Sequence, residues 1–146
     1  MVPGKLAMRL HVSYDEHVNC IFGVMEGTVD RKVLDEYTAK VMEVAAQHPG
    51  CRRFLNDMRH ATVTFSIAEV YCLPGIIEAA GFDRSWKRAL VAASQLDGYH
   101  FFETVSVNRG YRVRLFTDPE PALAWLLQEG SVWDKPSEAR AAKASH

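Results

Sequence analysis

Arg53-Phe-Leu-Asn-Asp-Met-Arg-His-Ala-Thr-Val-Thr-Phe-Ser-Ile-Ala-Glu69 reads as a short buried strand, Arg53 to Asn56, that runs out into a polar loop and then into a capped helix. Ser66 and Glu69 form a capping box, which satisfies two orphan N–H groups at a helix start. The reading puts Asp57, Arg59 and His60 at a strand end. In a parallel α/β sheet such strand exits are where ligands and partners are met, because the sheet holds them rigidly while their polar groups stay in water.

The flanking patterns extend this frame. Leu10, Val12 and Tyr14 continue an alternation begun at Leu6 and Met8, the period-two mark of a strand buried on one face. A turn at Asp15-Glu16 returns it to Val18-Asn-Cys-Ile-Phe-Gly-Val-Met25, which is apolar on both faces, so the first pair is an antiparallel hairpin. Thr28 to Asp30 opens a helix with a stripe of Val33, Leu34, Tyr37, Val41 and Val44, stopped at His48-Pro49-Gly50. The helix after Ser66 meets Pro74-Gly75 within two turns, where it is expected to kink or split. Trp86-Lys-Arg-Ala-Leu-Val-Ala-Ala93 suits a central strand, and Asp97 to Asn108 a helix closed by Gly110. Tyr111, Val113 and Leu115 alternate in a last strand, and Thr117-Asp-Pro-Glu120 starts a terminal helix that runs to Gly130. The order ββαβαβαβα predicts an α/β domain: a five-stranded, mostly parallel sheet with an antiparallel N-terminal strand and flanking helices.

A chain of 146 residues, 48% hydrophobic, is enough for one domain with a real core. It is assigned to residues 1–130, and the Ala-rich, charged residues 131–146 to a C-terminal tail. With 17 Lys and Arg against 18 Asp and Glu, the net charge of −1 gives no pull toward nucleic acid or an anionic membrane. No apolar run approaches the roughly 20 residues of a membrane span. Cys20, Cys51 and Cys72 are odd in number and lack zinc or redox spacing, which points to free thiols and a cytoplasmic protein.

Element order and several strings together resemble the SpoIIAA-like (STAS-like) family of small bacterial domains, related in fold to anti-sigma-factor antagonists and to CRAL-TRIO domains. The strings are Gly27, Asn56-Asp57-Met58-Arg59, Lys87-Arg88-Ala89, and Val113-Arg-Leu-Phe116 followed by Asp118, Ala122 and Trp125-Leu126. The resemblance implies a SpoIIAA/STAS-like fold over residues 1–130 and a regulatory role. Anti-sigma-factor antagonists carry an Asp-Ser-Ser-Gly type string with a phosphorylatable serine; here Asp57 is followed by Met58-Arg59-His60. Any phosphate acceptor on the equivalent passage is then Thr62, Thr64 or Ser66.

Asp57 and Arg59 either pair with each other or present a carboxylate and a guanidinium to a ligand. His60 has no nucleophile beside it and reads as an exposed histidine rather than a general base. Arg84, Lys87, Arg88, Arg109, Arg112 and Arg114 read as a solvated basic face, since acids interrupt them and no stacking motif accompanies them. The apolar segment Cys72-Leu-Pro-Gly-Ile-Ile77 offers Leu73, Ile76 and Ile77 to a ligand, a partner or a second copy, making a homodimer. With no catalytic constellation, metal cluster or cofactor motif, the expectation is a non-enzymatic regulatory or protein-interaction module without cofactor. The alternative is a small-molecule or lipid-binding module using the apolar helix region and the polar strand-end rim.

Overall fold

The protein is described from a computed structural model over residues 9–128. The expected tail, the strand onset at Leu6 and Met8, and the helix stop at Gly130 lie outside the described residues. Five strands, β1 (Arg9–Asp15), β2 (Cys20–Val29), β3 (Arg53–Val63), β4 (Lys87–Val91) and β5 (Arg112–Phe116), alternate with four helices. These are α1 (Arg31–Gln47), α2 (Ile67–Ala80), α3 (Leu96–Asn108) and α4 (Pro119–Leu126). The strands lie side by side in chain order, β1-β2-β3-β4-β5. β1 is antiparallel to β2, and every other pair is parallel.

Each crossover therefore steps one strand further in the same direction. Right-handed connections then put α1, α2 and α3 on one face. Val41, Leu73 and Phe102 from these helices join Ile21, Phe54 and Leu90 in the main core. Only α4 returns to the other face, where Ala122, Trp125 and Leu126 cover Cys20, Leu55, Ala89 and Val91.

Local chemistry sets the helix starts. The Asp30 carboxylate accepts from the Val33 N–H at 2.9 Å, and Ser66 and Glu69 close the expected box, Ser66 N–H to Glu69 Oε1 at 2.7 Å. Asp118 accepts from the Glu120 N–H at 3.3 Å, with proline in the first turn. One expectation fails: α2 does not split at Pro74 but runs through it to Ala80. The missing N–H costs a hydrogen bond. The Pro74 ring, however, is fully buried, and its apolar packing offsets that loss.

A second expectation is corrected in β4, where all five residues are buried. Lys87 and Arg88 are not on a solvated basic face; each is 6% exposed. The Lys87 ammonium sits 4.6 Å from the Trp125 ring centre and donates to the Trp125 and Gln128 carbonyls at 2.6 and 3.3 Å, at the C-terminal end of α4. Such carbonyls carry the negative end of the helix dipole. Arg88, on the opposite face, lies over the Phe82 and Tyr111 rings at 5.1 and 5.9 Å. Burial pushes its guanidinium down to about 10, which leaves it charged at neutral pH.

Gly23 in β2 is required by close approach. The Tyr37 hydroxyl crosses it to donate to Asn56 Oδ1 at 2.7 Å, and a Cβ there would overlap that hydroxyl and press on the Phe54 ring. Gly23→Ala is therefore expected to destabilise the fold by about 1–3 kcal/mol, as overpacking does. Chemical denaturation measures this, and an unchanged midpoint would show that Tyr37 can move aside without loss.

Candidate functional site

β3 outruns its neighbour on one side. Its pairing with β4 ends at Asp57 opposite Val91, while pairing with β2 continues to Val63 opposite Val29. Between Val24↔Asp57 and Glu26↔His60, β3 uses one residue more than β2, which is a β-bulge. The short strand and polar loop expected from the sequence are thus one long strand, and Asp57, Arg59 and His60 lie within it. The reason is that β2 supplies backbone partners along the whole length, while Met58 and Ala61 have a core to enter. The polar residues need only one open face.

The two faces of β3 do different things. Asn56 and Met58 face the layer of α1 to α3, whereas Leu55 packs toward α4. Alternation places Asp57 on the α4 side, and Arg59, bonded to it, lies within electrostatic range of Asp118. Arg59 makes a two-pronged contact with Asp57, Nε to Oδ1 at 3.0 Å and Nη2 to Oδ2 at 2.8 Å, and the Arg59 N–H adds a third bond at 3.1 Å. Burial pushes the Asp57 carboxyl up, but the hydrogen bonds and charge of Arg59, with the charge of His60, outweigh it and hold the group below its ordinary value. The expected pair is therefore closed on itself. His60 and Thr62 are exposed. Thr64 donates its hydroxyl to the Val29 carbonyl at 3.2 Å, and Ser66 is engaged in its capping box.

On the opposite face lies a cavity of about 610 Å³. Met25, Met58 and Leu90 form its floor, and Val70, Leu73 and Ile77 of α2 form one wall. Leu73 and Ile77 are 7% and 8% exposed, so they line this space and cannot supply the outward face expected for a homodimer. Ile76 is half-buried, and the large apolar residues that α2 does expose are Ile67 and Tyr71. The facing wall is the start of α3, from Leu96 to Phe102.

Gln95 closes the corner. Its backbone is left-handed, with φ of 54°, and its amide group grips the end of β3, accepting from the Val63 N–H at 2.9 Å and donating to the Val63 carbonyl at 3.0 Å. It takes the place that a longer β4 would fill. Ser94 and Gln95 both line this end of the cavity. Tyr99 was not anticipated. At helical spacing from Phe102 it reads as ordinary core, and only the arrangement of the strands shows that it faces a space.

No protein-family model matches the sequence, and no curated protein matches it. Among solved structures, it superposes on an anti-sigma factor antagonist from Mycobacterium paratuberculosis with a TM-score of 0.60 at 12% identity, covering 87% of this chain and 98% of that one. It also superposes on a DUF3478-family protein with a SpoIIAA-like fold from Shewanella loihica, with a TM-score of 0.55 at 15% identity, covering 82% and 93%. The fold is SpoIIAA/STAS-like, as the resemblance implies. Cys20 and Cys51 are free and buried, and Cys72 is free and exposed. Among the described residues no helix is long and apolar enough to cross a membrane.

The Asp57–Arg59 pair carries a pH signature. Because the folded-state pKa of Asp57 is lowered, its contribution is present above the unfolded carboxylate range, about 4, and is lost as pH falls through the folded value. Arg59→Met is expected to lower stability at neutral pH by about 0.5–1 kcal/mol, a modest amount because the pair is partly solvated. The difference from the parent should shrink in acid. Denaturation at several pH values checks this, and a pH-independent difference would assign the effect to packing.

Proposed function

We propose that this chain is a non-catalytic STAS-like regulatory module whose working part is the cavity at the carboxyl ends of β2, β3 and β4, where it takes a small apolar ligand. The single observation that carries this is the cavity itself. Its volume of about 610 Å³ falls within the roughly 300–1,000 Å³ of small-molecule sites, and its lining is mostly aliphatic and aromatic with a few polar groups at one end. Its apolar lining, rather than its volume, sets it apart from the surface groove of about 620 Å³ around Tyr14 and His48, whose lining is largely polar.

The non-catalytic part rests on the lining. Among the described residues it holds no His, Cys, Lys or Arg, and its one acidic side chain is Asp97. His60 lies along the exposed end of β3 beside a carboxylate already committed to Arg59. Among the described lining residues no hydroxyl is hydrogen-bonded to a basic group. The regulatory part rests on the shared fold with an anti-sigma factor antagonist, and it names a protein as the partner that reads the ligand state. The cavity edge offers such a partner exposed Leu96, and α2 adds exposed Ile67 and Tyr71. If phosphate also acts here, Thr62 is the best placed of the three acceptors, since Thr64 and Ser66 are engaged in backbone bonds. A cytoplasmic location fits three free thiols.

Gly98 gives a clean test. It lines the cavity at the exposed first turn of α3, and a Cβ built on it meets nothing within 4 Å, so a large side chain is tolerated at the cavity mouth without displacing the fold. The parent protein is expected to take up the neutral dye Nile red with a fluorescence rise. Gly98→Phe should weaken uptake at least about tenfold, equivalent to about 1.4 kcal/mol, with an unchanged circular dichroism spectrum. A parent protein that does not bind the dye would overturn the proposal.

A further inference from the structure

The lining of the cavity changes character from one part to another. Met25, Leu73 and Ile77 are buried, whereas the run from Ser94 to Gly98 is exposed and forms the mouth. Asp97 stands in that run. It is the one acidic side chain of the described lining, no basic side chain accompanies it there, and its carboxylate makes no hydrogen bond or ion pair among the described residues. The acids at the other helix starts are spent differently, since Asp30, Glu69 and Asp118 each hold a backbone N–H. The mouth of an apolar space thus presents one uncommitted negative charge.

We infer that the ligand is a cationic amphiphile, an apolar body that enters the cavity and leaves a protonated amine at the mouth beside Asp97. The inference rests on the cavity being a ligand site and adds the head group of the ligand. Charge complementarity selects it. A carboxylate or phosphate head would stand beside the Asp97 carboxylate with no Lys, Arg or His of the described lining to offset the repulsion. An amine meets the opposite: attraction from Asp97, and the rings of Phe65, Tyr99 and Phe102 in the same lining, whose faces favour a cation over an anion. One effect opposes it. The start of α3, which no side chain caps, carries about half a positive charge, and the full negative charge of Asp97 outweighs it. Position keeps the cost low. At an exposed mouth the ammonium retains most of its water while the chain below it is buried, so the penalty for withdrawing a charge from solvent is largely avoided.

The experiment is displacement of Nile red by decylamine, decanoate and decanol, below the concentrations at which they aggregate, from the parent protein and from Asp97→Asn at neutral pH. The three share one chain and differ in the charge of the head. Decylamine is expected to displace the dye at a concentration at least about threefold lower than decanoate. Asp97→Asn should raise the decylamine concentration required about two- to fivefold, the range of a solvent-exposed ion pair, lower that of decanoate, and leave decanol unchanged, which also reports that the variant keeps its cavity. A second readout uses the parent alone and no dye: in titration calorimetry, added sodium chloride should weaken decylamine binding, because screening acts on the charge pair. Decanoate displacing the dye as well as decylamine does, an amine-to-decanoate ratio that Asp97→Asn leaves as in the parent, or decylamine binding indifferent to salt overturns the inference while leaving the cavity as a ligand site. Failure of the parent to bind the dye or any of the three overturns the ligand reading itself.

Discussion

The handedness of strand crossovers is the constraint on which the rest of this structure depends. Four parallel strands follow one another in chain order, so every right-handed connection lands on the same face, and three helices must share it. There is no reversal of strand order among the described strands, hence no switch point of the kind that opens a ligand crevice in doubly wound sheets. The space arises differently. β2 and β3 run on together to Val29 and Val63 after β4 has ended at Val91, so α2 and α3 begin at different heights above the sheet. The wedge between those starts is the cavity. Gln95, at the corner, spans the step in strand length by standing in for the missing β4 backbone.

Most of the frame was legible in the sequence because its signals are local. Asp30, the Ser66 and Glu69 box and Asp118 with Pro119 each fix a helix start within a few residues, and all four helices begin within a residue or so of those marks or of Asp97. The antiparallel first hairpin and the parallel remainder follow from alternation and from crossover lengths. What was not legible lay where two elements cooperate. Asn56-Asp57-Met58-Arg59-His60 has the composition of a loop, and the bulge breaks the period-two pattern that would have marked it as strand. Only pairing with β2, distant in sequence, makes it extended. Pro74 misled in the same way, since a local rule against proline within a helix gave way to the burial of its ring.

The candidate site was half legible for a related reason. Asp57, Arg59 and His60 were visible as polar residues in a row, and row order says nothing about which face of a sheet each occupies. They fall away from the cavity, and the first two satisfy each other. Leu73 and Ile77 were visible as apolar residues in an awkward segment; their true surroundings come from β2, β3, β4 and α3 at once. A cavity assembled from six elements has no signature in any one of them. Tyr99 is the clearest case, a residue whose spacing fits core packing and which nevertheless lines the space.

Lys87 and Arg88 show how the sheet holds the register this arrangement needs. Adjacent residues of a strand point to opposite faces, so β4 carries one cation into each layer. Withdrawing either from water costs several kcal/mol, against about 0.5–2 kcal/mol from an aromatic ring and whatever carbonyls contribute. Net stability is therefore a poor reason for their presence. Register is a better one. The ammonium of Lys87 fits the open carbonyls of Trp125 and Gln128, and the planar guanidinium of Arg88 fits the rings of Phe82 and Tyr111; exchanging the faces would leave both without their partners. A slip of one residue in β4 is excluded by that penalty. Since α3 hangs from the end of β4, the same penalty fixes where Gln95 meets Val63 and where Tyr99 enters the cavity.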